Sequence, residues 1–298
     1  MKHWKPAVIA ALWSGALYAA PMPVVASFSI LGDVAQQIGG ERVGVQNLVG
    51  ANQDAHAYNL TSSDIKKIRE ARLVLLNGLG LEKAELQRAV KQSKVASAEA
   101  TAGIKPLAAD EHHHEHGHDH DHDHGEFDPH VWNDPVLMQR YAANVAIALI
   151  KADPAGSRYY QQRFKDYQHV LNQLNNYANQ QFGAVAPAKR KVLTGHDSFA
   201  YLGKRYQVKF ISPQGVSSEA EPSARQITAI IRQIKAENVK AVFTENIKDG
   251  RMIARIAKET GVKVSGGLYA DALSSGAPAG TYADMFRYNV RVMSEAMK

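Results

Sequence analysis

The chain has 298 residues, with 35 Lys and Arg against 29 Asp and Glu, 13 His and no Cys. Its 45% hydrophobic and 21% charged residues are typical of a folded protein and exclude a disordered or collagen-like chain. The lack of Cys excludes disulfide scaffolds, Cys-ligated zinc fingers, iron–sulfur clusters and thiol nucleophiles. The formal charge of +6 makes nucleic acid a candidate partner. The distribution of the charges along the chain tests this candidate.

Residues 1–20 combine a basic start with a short apolar run. Lys2 and Lys5 precede an apolar stretch from Ala7 to Ala20. About 14 apolar residues are too few for the roughly 20 that span a bilayer, so the pattern predicts a cleavable secretory signal rather than a membrane anchor. We therefore expect a soluble, exported protein. Because the chain has no Cys, we expect no lipid anchor of the kind that is attached to a cysteine.

Short β-branched runs alternate with helical patterns along the rest of the chain. The predicted strands are Met22 to Ser27, Val43 to Val49, Leu73 to Asn77, Lys191 to Thr194, Val208 to Ile211, Ala241 to Thr244 and Val262 to Ser265. Helix starts are marked by a capping box from Thr61 to Asp64 and by the pairs Asp134-Pro135 and Glu221-Pro222. This alternation predicts an α/β fold with parallel sheets.

A long polar stretch divides the strands into two groups. Residues 157–182 have helical periodicity with no Gly or Pro, which predicts one long helix. We expect two α/β lobes with parallel sheets, an amino-terminal lobe over 21–155 and a carboxy-terminal lobe over 185–298, joined by a backbone helix over 156–184. Residues 101–128 lack periodicity and form an acidic, His-rich loop in the first lobe.

Eight of the 13 histidines crowd into this loop. They are His112, His113, His114, His116, His118, His120, His122 and His124. Imidazole binds zinc, copper, nickel and iron, so the segment predicts labile metal capture, and the alternative is a solvated polar tract. The spacing of Asp119, Asp121 and Asp123 is that of an EF-hand, but His124 stands where Gly is required and His130 where Glu is required. We therefore exclude calcium.

Three of the remaining histidines follow or precede predicted elements where α/β folds bind ligands. His56 lies after a strand, His130 just before a helix and His196 after another strand. Taken singly, each of these is more simply interpreted as a loop histidine whose ring is hydrogen-bonded within the protein. His169 lies within the polar helix, and we interpret it as a surface residue.

Several segments together resemble a known family. GANQDAHAYNLTSSDI, FDPHVWNDP and VLTGHDSFAYLGKRYQV, with GVSSEAEPSARQI and GLYADALSSGAPAGTYADMFRYNV, resemble the periplasmic zinc and manganese solute-binding proteins of ABC importers, known as cluster A-I. The resemblance covers the whole mature chain and implies two α/β lobes connected by one long helix. Zinc members of the family commonly carry an acidic His-rich loop ahead of the second metal ligand, where residues 111–124 stand here.

The resemblance implies a metal site formed by His56, His130, His196 and Asp271, and it alone supplies Asp271, from the motif LYADALS. Ala55 departs from the family, in which Pro is common before the first histidine. The implied partner is an ABC permease in the inner membrane, and a periplasmic metallochaperone is a further candidate. We expect a periplasmic monomer without a nucleic-acid partner, since the acidic segment draws cations.

The implied donor set favours zinc. Three imidazoles and one carboxylate suit tetrahedral zinc, whereas manganese prefers more oxygen donors, and the manganese members resembling this sequence generally have a carboxylate where His196 stands. A manganese or iron solute-binding protein remains the alternative, as does a free periplasmic zinc chaperone or buffer.

A metallohydrolase is the hypothesis from another class. Catalytic zinc usually keeps an open position, whereas four protein ligands close the coordination sphere, so we expect no enzyme. Glu219 and Glu221 are candidate bases but fit a loop and helix cap more simply. Glu245, at the end of a predicted strand near the mouth of the site, is interpreted as a solvated strand end.

Overall fold

Two parallel four-stranded sheets form the framework of the computed structural model, which describes residues 20–109 and 126–298. The first sheet has the order β2-β1-β3-β4, with β1 (Met22–Phe28), β2 (Val43–Val49), β3 (Leu73–Leu76) and β4 (Ala96–Glu99). The second has the order β6-β5-β7-β8, with β5 (Lys191–Leu193), β6 (Lys209–Ile211), β7 (Ala241–Glu245) and β8 (Gly266–Leu268). We call the parts built around them the first and second lobes.

The central strands are apolar because helices cover both faces of each sheet. In β1 every residue from Val24 to Phe28 is buried, and so is all of β3. Val24 lies opposite Val45 of β2 and Leu73 of β3, all in parallel register. All carboxyl ends of a sheet therefore meet at one edge, where ligands of α/β proteins bind.

Nine helices accompany these strands in the described part of the chain. They are α1 (Ser29–Gly39), α2 (Ser62–Glu70), α3 (Ala84–Ser93), α4 (Leu137–Ala152), α5 (Ser157–Gly183), α6 (Ala200–Tyr206), α7 (Ala224–Glu237), α8 (Arg251–Thr260) and α9 (Tyr282–Met297). Thr61 and Asp64 form the predicted capping box of α2. The predicted long helix is confirmed as α5, which extends one residue past the periodic stretch 157–182 and lies within the expected range 156–184.

The helix α5 buries one side in a core that both lobes share. Its buried residues recur every three, four or seven positions, the spacing of a single helical stripe: Tyr160, Tyr167, Leu171, Leu174, Ala178 and Phe182. The helices α1, α4 and α9 pack against it. Side chains of α9, including Phe286 and Val290, belong to the same core as Val24 of β1 and Phe243 of β7. The outer faces of the sheets are covered by α2 and α3 on the first lobe and by α7 and α8 on the second.

The sequence placed one strand wrongly and missed three elements. Residues 262–265 do not form a strand, because Gly261 ends α8 with φ 75° and the Val262 N–H returns to the carbonyl of Ala257. The strand β8 begins at Gly266 instead. Helix α7 begins after Ser223, so Pro222 lies ahead of its cap rather than at its first position. The missed elements are β4, α3 and α9, and β4 has the sequence ASAE, with no β-branched residue.

Other predictions concern residues that the structure does not describe. The signal of residues 1–20 falls there except for its last residue, as do the eight loop histidines from His112 to His124. In residues 20–109 and 126–298, no helix combines the length and apolar character needed to cross a bilayer. The lobe boundaries at 21–155 and 185–298 stay predictions.

Candidate metal centre

Four side chains from separate loops meet in the cleft between the lobes. His56 lies between β2 and α2, and His130 lies ahead of α4. His196 follows β5, and Asp271 follows β8. The structure therefore brings together all four residues that the family resemblance implied, and we call them the four-residue cluster.

The cluster is compact and buried. One donor atom from each residue lies within 4.8 Å of the others. The Nε2 atoms of His56 and His130 are 3.2 Å apart. Oδ2 of Asp271 lies 3.5 Å from Nε2 of His56 and 3.0 Å from Nε2 of His196. His56 is 7% exposed, and the other three residues are 0% exposed.

These distances fit a single tetrahedral cation. Nitrogen and oxygen ligands at about 2.0 to 2.2 Å from zinc are about 3.3 to 3.6 Å from one another in a tetrahedron, and the separations within the cluster lie near that range. Within residues 20–109 and 126–298, Nε2 of His196 and both carboxylate oxygens of Asp271 are buried and have no hydrogen-bond partner. A buried carboxylate without hydrogen bonds is costly unless a cation compensates it. The cluster can therefore hold a divalent metal ion.

Burial and charge shift the protonation of the cluster in opposite directions. Burial lowers the pKa of His56 to about 4, although Asp271 opposes that shift. Burial also acts to lower the pKa of His196, but Glu245 and Asp271 outweigh it and raise that pKa well above its usual value. The pKa of Asp271 is well below its usual range because His196 and His130 outweigh the effect of its burial. Without a metal, a proton on His196 therefore supplies positive charge beside Asp271.

The segment that carries Asp271 is fixed by the first lobe. The indole N–H of Trp132 donates to the carbonyl of Ala270 at 2.8 Å. On the other side of Asp271, the N–H of Leu273 donates to the Ser29 hydroxyl at 3.0 Å. The backbone on both sides of Asp271 is thus held by residues of the first lobe, although Asp271 follows a strand of the second lobe.

The loop that carries His56 is held by Asp54. One oxygen of Asp54 accepts the backbone N–H groups of His56 and Ala57 at 2.9 and 3.4 Å. The other accepts the hydroxyl of Ser218, from the second lobe, at 2.5 Å. The His56 loop is therefore tied across the cleft.

Two carboxylates contact the Nδ1 atoms of histidines in the cluster, and the sequence did not identify their roles. Glu245 is 6% exposed and its Oε2 lies 2.6 Å from Nδ1 of His196, so the interpretation as a solvated strand end is wrong. Adjacent parallel strands β5 and β7 bring the two residues together. Asp128, which the sequence placed in the acidic loop, is 1% exposed and its Oδ1 lies 2.7 Å from Nδ1 of His130. Its position two residues before His130 is the only sequence signal for this contact.

The other candidate residues lie away from the cluster. His169 is exposed on α5, as predicted. Glu219 pairs with Lys83 at 2.8 Å, and Glu221 is exposed.

Known proteins resemble this chain over nearly its whole length. The family model of zinc-uptake complex component A, a periplasmic protein, matches residues 24–296. The manganese-binding lipoprotein MntA of Bacillus subtilis is 32% identical over 287 residues, covering 93% of this chain and 90% of that protein. The iron ABC transporter substrate-binding lipoprotein MtsA of Streptococcus pyogenes serotype M1 is 27% identical over 277 residues, covering 93% of this chain and 89% of that protein.

Solved structures show the same architecture. The periplasmic zinc binding protein TroA of Treponema pallidum superposes with a TM-score of 0.85 at 26% identity, covering 94% of this chain and 99% of that one. A mutant, manganese-bound periplasmic metal binding protein of Candidatus Liberibacter asiaticus gives a TM-score of 0.80 at 30% identity, covering 92% and 99%. The fold, the cluster in the cleft and these relatives agree: the chain belongs to the zinc-uptake component A family, the metal-binding, substrate-binding components of ABC importers.

Proposed function

We propose that the chain captures Zn²⁺ in the periplasm and delivers it to the inner-membrane permease of an ABC importer. The observation that supports zinc is the donor set, in which three imidazoles and a single carboxylate converge from His56, His130, His196 and Asp271. Such a set without sulfur or further oxygen donors suits tetrahedral zinc better than manganese. The proposed role is binding and release, and the metal is cargo.

A manganese or iron importer component is the second candidate. Relatives named for manganese and for iron support it, as does the manganese-bound relative. The two candidates differ in which metal the cluster prefers, because the same fold serves relatives named for different metals.

A competition titration separates them. Purified protein, stripped of metal, is titrated with zinc against manganese and iron(II), and native mass spectrometry counts the bound ions in wild type and His196→Ala. For a zinc protein we expect one tight zinc ion that excess manganese does not displace, and its loss in His196→Ala. Displacement of zinc by equimolar manganese would contradict the zinc proposal and favour the second candidate.

Delivery to a permease needs its own measurement, because a free zinc chaperone or buffer binds metal equally well. The chain is added to its importer reconstituted in lipid nanodiscs, and ATP hydrolysis is followed with and without zinc. Zinc-loaded protein is expected to stimulate hydrolysis more than protein without metal. Equal rates in both states would favour the chaperone hypothesis.

The acidic His-rich segment has a proposed role in collecting metal. Its histidines lie outside the described residues, so the proposal depends on their composition alone. Deleting residues 111–124 is expected to lower the number of zinc ions bound while one tight site remains. Loss of that tight site would show that the segment supplies essential ligands.

A further inference from the structure

Glu245 joins the end of one strand to a ring of the metal cluster on the next. Its Oε1 accepts the backbone N–H groups of Gly195 and His196 at 2.9 and 3.2 Å. Its Oε2 faces Nδ1 of His196 at 2.6 Å. One carboxylate thus receives three contacts from two consecutive residues, and fixes both the backbone and the ring of His196.

The absence of a side chain at Gly195 leaves room for the Glu245 carboxylate. A Cβ atom placed on Gly195 would lie 3.1 Å from the carboxylate carbon of Glu245, closer than most real contacts. Glycine therefore lets the carboxylate approach the backbone N–H groups. Glu245 and His196 are both buried, so water does not compete for these contacts.

We infer that Glu245 is a positioning residue that keeps the proton of His196 on Nδ1 and leaves Nε2 for the metal. The carboxylate has only acceptors, so it requires a donor on the ring atom that faces it. Nε2, on the opposite side of the ring, points at Asp271 and has no hydrogen bond. This inference rests on metal binding by the four-residue cluster, but it holds for zinc or manganese alike.

Asp128 makes a similar contact with His130 through a different geometry. A single oxygen, Oδ1, faces both the backbone N–H and Nδ1 of His130, at 2.8 and 2.7 Å. Its other oxygen, Oδ2, is buried without a hydrogen bond. An amide in place of Asp128 can keep its oxygen at the shared position. In Glu245→Gln, one end of the side-chain amide is an NH₂ donor. The amide therefore cannot accept hydrogen bonds both from the two backbone N–H groups and from Nδ1 of His196.

The amide variants therefore test positioning against simple packing. In Glu245→Gln the amide oxygen is expected to stay with the two backbone N–H groups, which turns its NH₂ towards Nδ1 of His196. A donor there favours the ring with its proton on Nε2, the atom that the metal needs. We expect Glu245→Gln to lower metal affinity by about 10- to 100-fold, a loss at least as large as that in Glu245→Ala. Asp128→Asn, which keeps an oxygen acceptor at the shared position, is expected to lose less metal affinity than Glu245→Gln.

Glu82 offers a matched control. It is a buried carboxylate that accepts two backbone N–H groups, those of Asn77 and Gly78, at 2.6 and 3.0 Å. No histidine of the cluster lies within ion-pair distance of it in the described ranges. Glu82→Gln is expected to leave metal affinity unchanged while it reports any general cost of losing such a carboxylate.

The experiment measures affinity by chelator competition, with whichever of zinc and manganese the wild type binds more tightly. Proton NMR of ¹⁵N-histidine-labelled protein loaded with diamagnetic zinc follows the Nδ1–H of His196. We expect a slowly exchanging Nδ1–H in wild type and Glu82→Gln, and its loss in Glu245→Gln and Glu245→Ala. Thermal unfolding without metal checks that each variant folds.

Wild-type affinity in Glu245→Gln, with the Nδ1–H retained, would overturn the inference. The proposed function fails in a different way, because it fails if the wild type prefers manganese or does not stimulate its importer. Neither of those results alters the comparison between Glu245→Gln and Asp128→Asn.

Discussion

The two lobes contribute to the metal cluster in unequal ways. On the second lobe, His196 is fully buried and held by Glu245 from the neighbouring strand. On the first lobe, His130 is held in a similar way by Asp128, but His56 lies on the loop between β2 and α2, and its only carboxylate partner within ion-pair distance in the described residues is Asp271. The histidine of the second lobe is therefore held by a carboxylate behind its ring, whereas one of the two histidines of the first lobe lacks such a contact.

This difference also appears in the protonation of the two rings. The raised pKa of His196 means that the metal-free site keeps a proton there, whereas the pKa of His56, at about 4, means that its ring stays neutral. We therefore expect metal binding to displace a proton from His196 and none from His56.

The largest expected effect comes from removing the charge of the second lobe. Asp271→Asn keeps the shape of the side chain but removes the carboxylate of the cluster, and we expect metal affinity to fall about 1,000-fold or more. His56→Ala removes one neutral donor and is expected to cost about 100-fold, because zinc-finger binding energies of about 10 to 16 kcal/mol are shared among four ligands. Chelator competition measures both. Equal losses in the two variants would remove the proposed asymmetry.

The pH dependence of affinity is the next test. Because the pKa of His196 in the metal-free protein is raised, metal must displace a proton from His196 below that pKa, and affinity is expected to fall as pH decreases, by up to about tenfold per pH unit. His56 has its pKa lowered to about 4 and does not compete down to about pH 6. The expected loss thus begins above the pH of about 6.5 that unperturbed imidazole predicts. Constant affinity down to pH 6, measured by titration in matched buffers, would contradict the protonation of His196.

The tie between the His56 loop and the second lobe predicts a smaller, kinetic effect. Ser218→Ala removes the hydroxyl that donates to Asp54 across the cleft. We expect metal to dissociate about fivefold faster, as for the loss of one hydrogen bond of about 1 kcal/mol. Ser217→Ala is the matched control, because the Ser217 hydroxyl accepts only a local N–H from Glu219. Stopped-flow release to a chelator measures both rates, and no difference between the variants would exclude a role for the tie.

The smallest expected effect concerns stability and compares the capping boxes of the two lobes. In the first, hydrogen bonds from Thr61, Tyr58 and Lys67 outweigh burial and lower the pKa of Asp64 to about 2. We expect Thr61→Ala to lower the free energy of unfolding by about 1 to 2 kcal/mol, and Ser223→Ala, at the exposed cap of α7, by about 0.5 kcal/mol. Urea denaturation of metal-free protein measures both. A larger loss at Ser223 would reverse this ranking.

The sequence predicted the framework where local patterns determine it. The runs that became β1 and β3 are continuous apolar segments, and the stripe of α5 follows from its helical spacing. It failed at Val262 and Val264, whose β-branched side chains favour a strand, because the turn at Gly261 takes precedence there. It also missed β4, which owes its strand to pairing with β3 rather than to its own residues.

For the site, His56, His130 and His196 stood out as histidines near element ends. Asp271 came only from the family resemblance, since its spacing carries no signal. The role of Glu245 depends on β5 and β7 being neighbours, with 49 positions separating it from His196. The order of strands in a sheet is a property of the whole fold, and no local sequence pattern predicts it.

The shared core has a consequence for how the chain is made. Residues of α9 fill a core that also contains β1 and α5, yet they are synthesised after both of these elements. Until α9 has been made, the apolar stripe of α5 lacks one of its covers and remains open to solvent or to a chaperone. The shared core, and with it the cleft between the lobes, is therefore completed only after α9 has been synthesised.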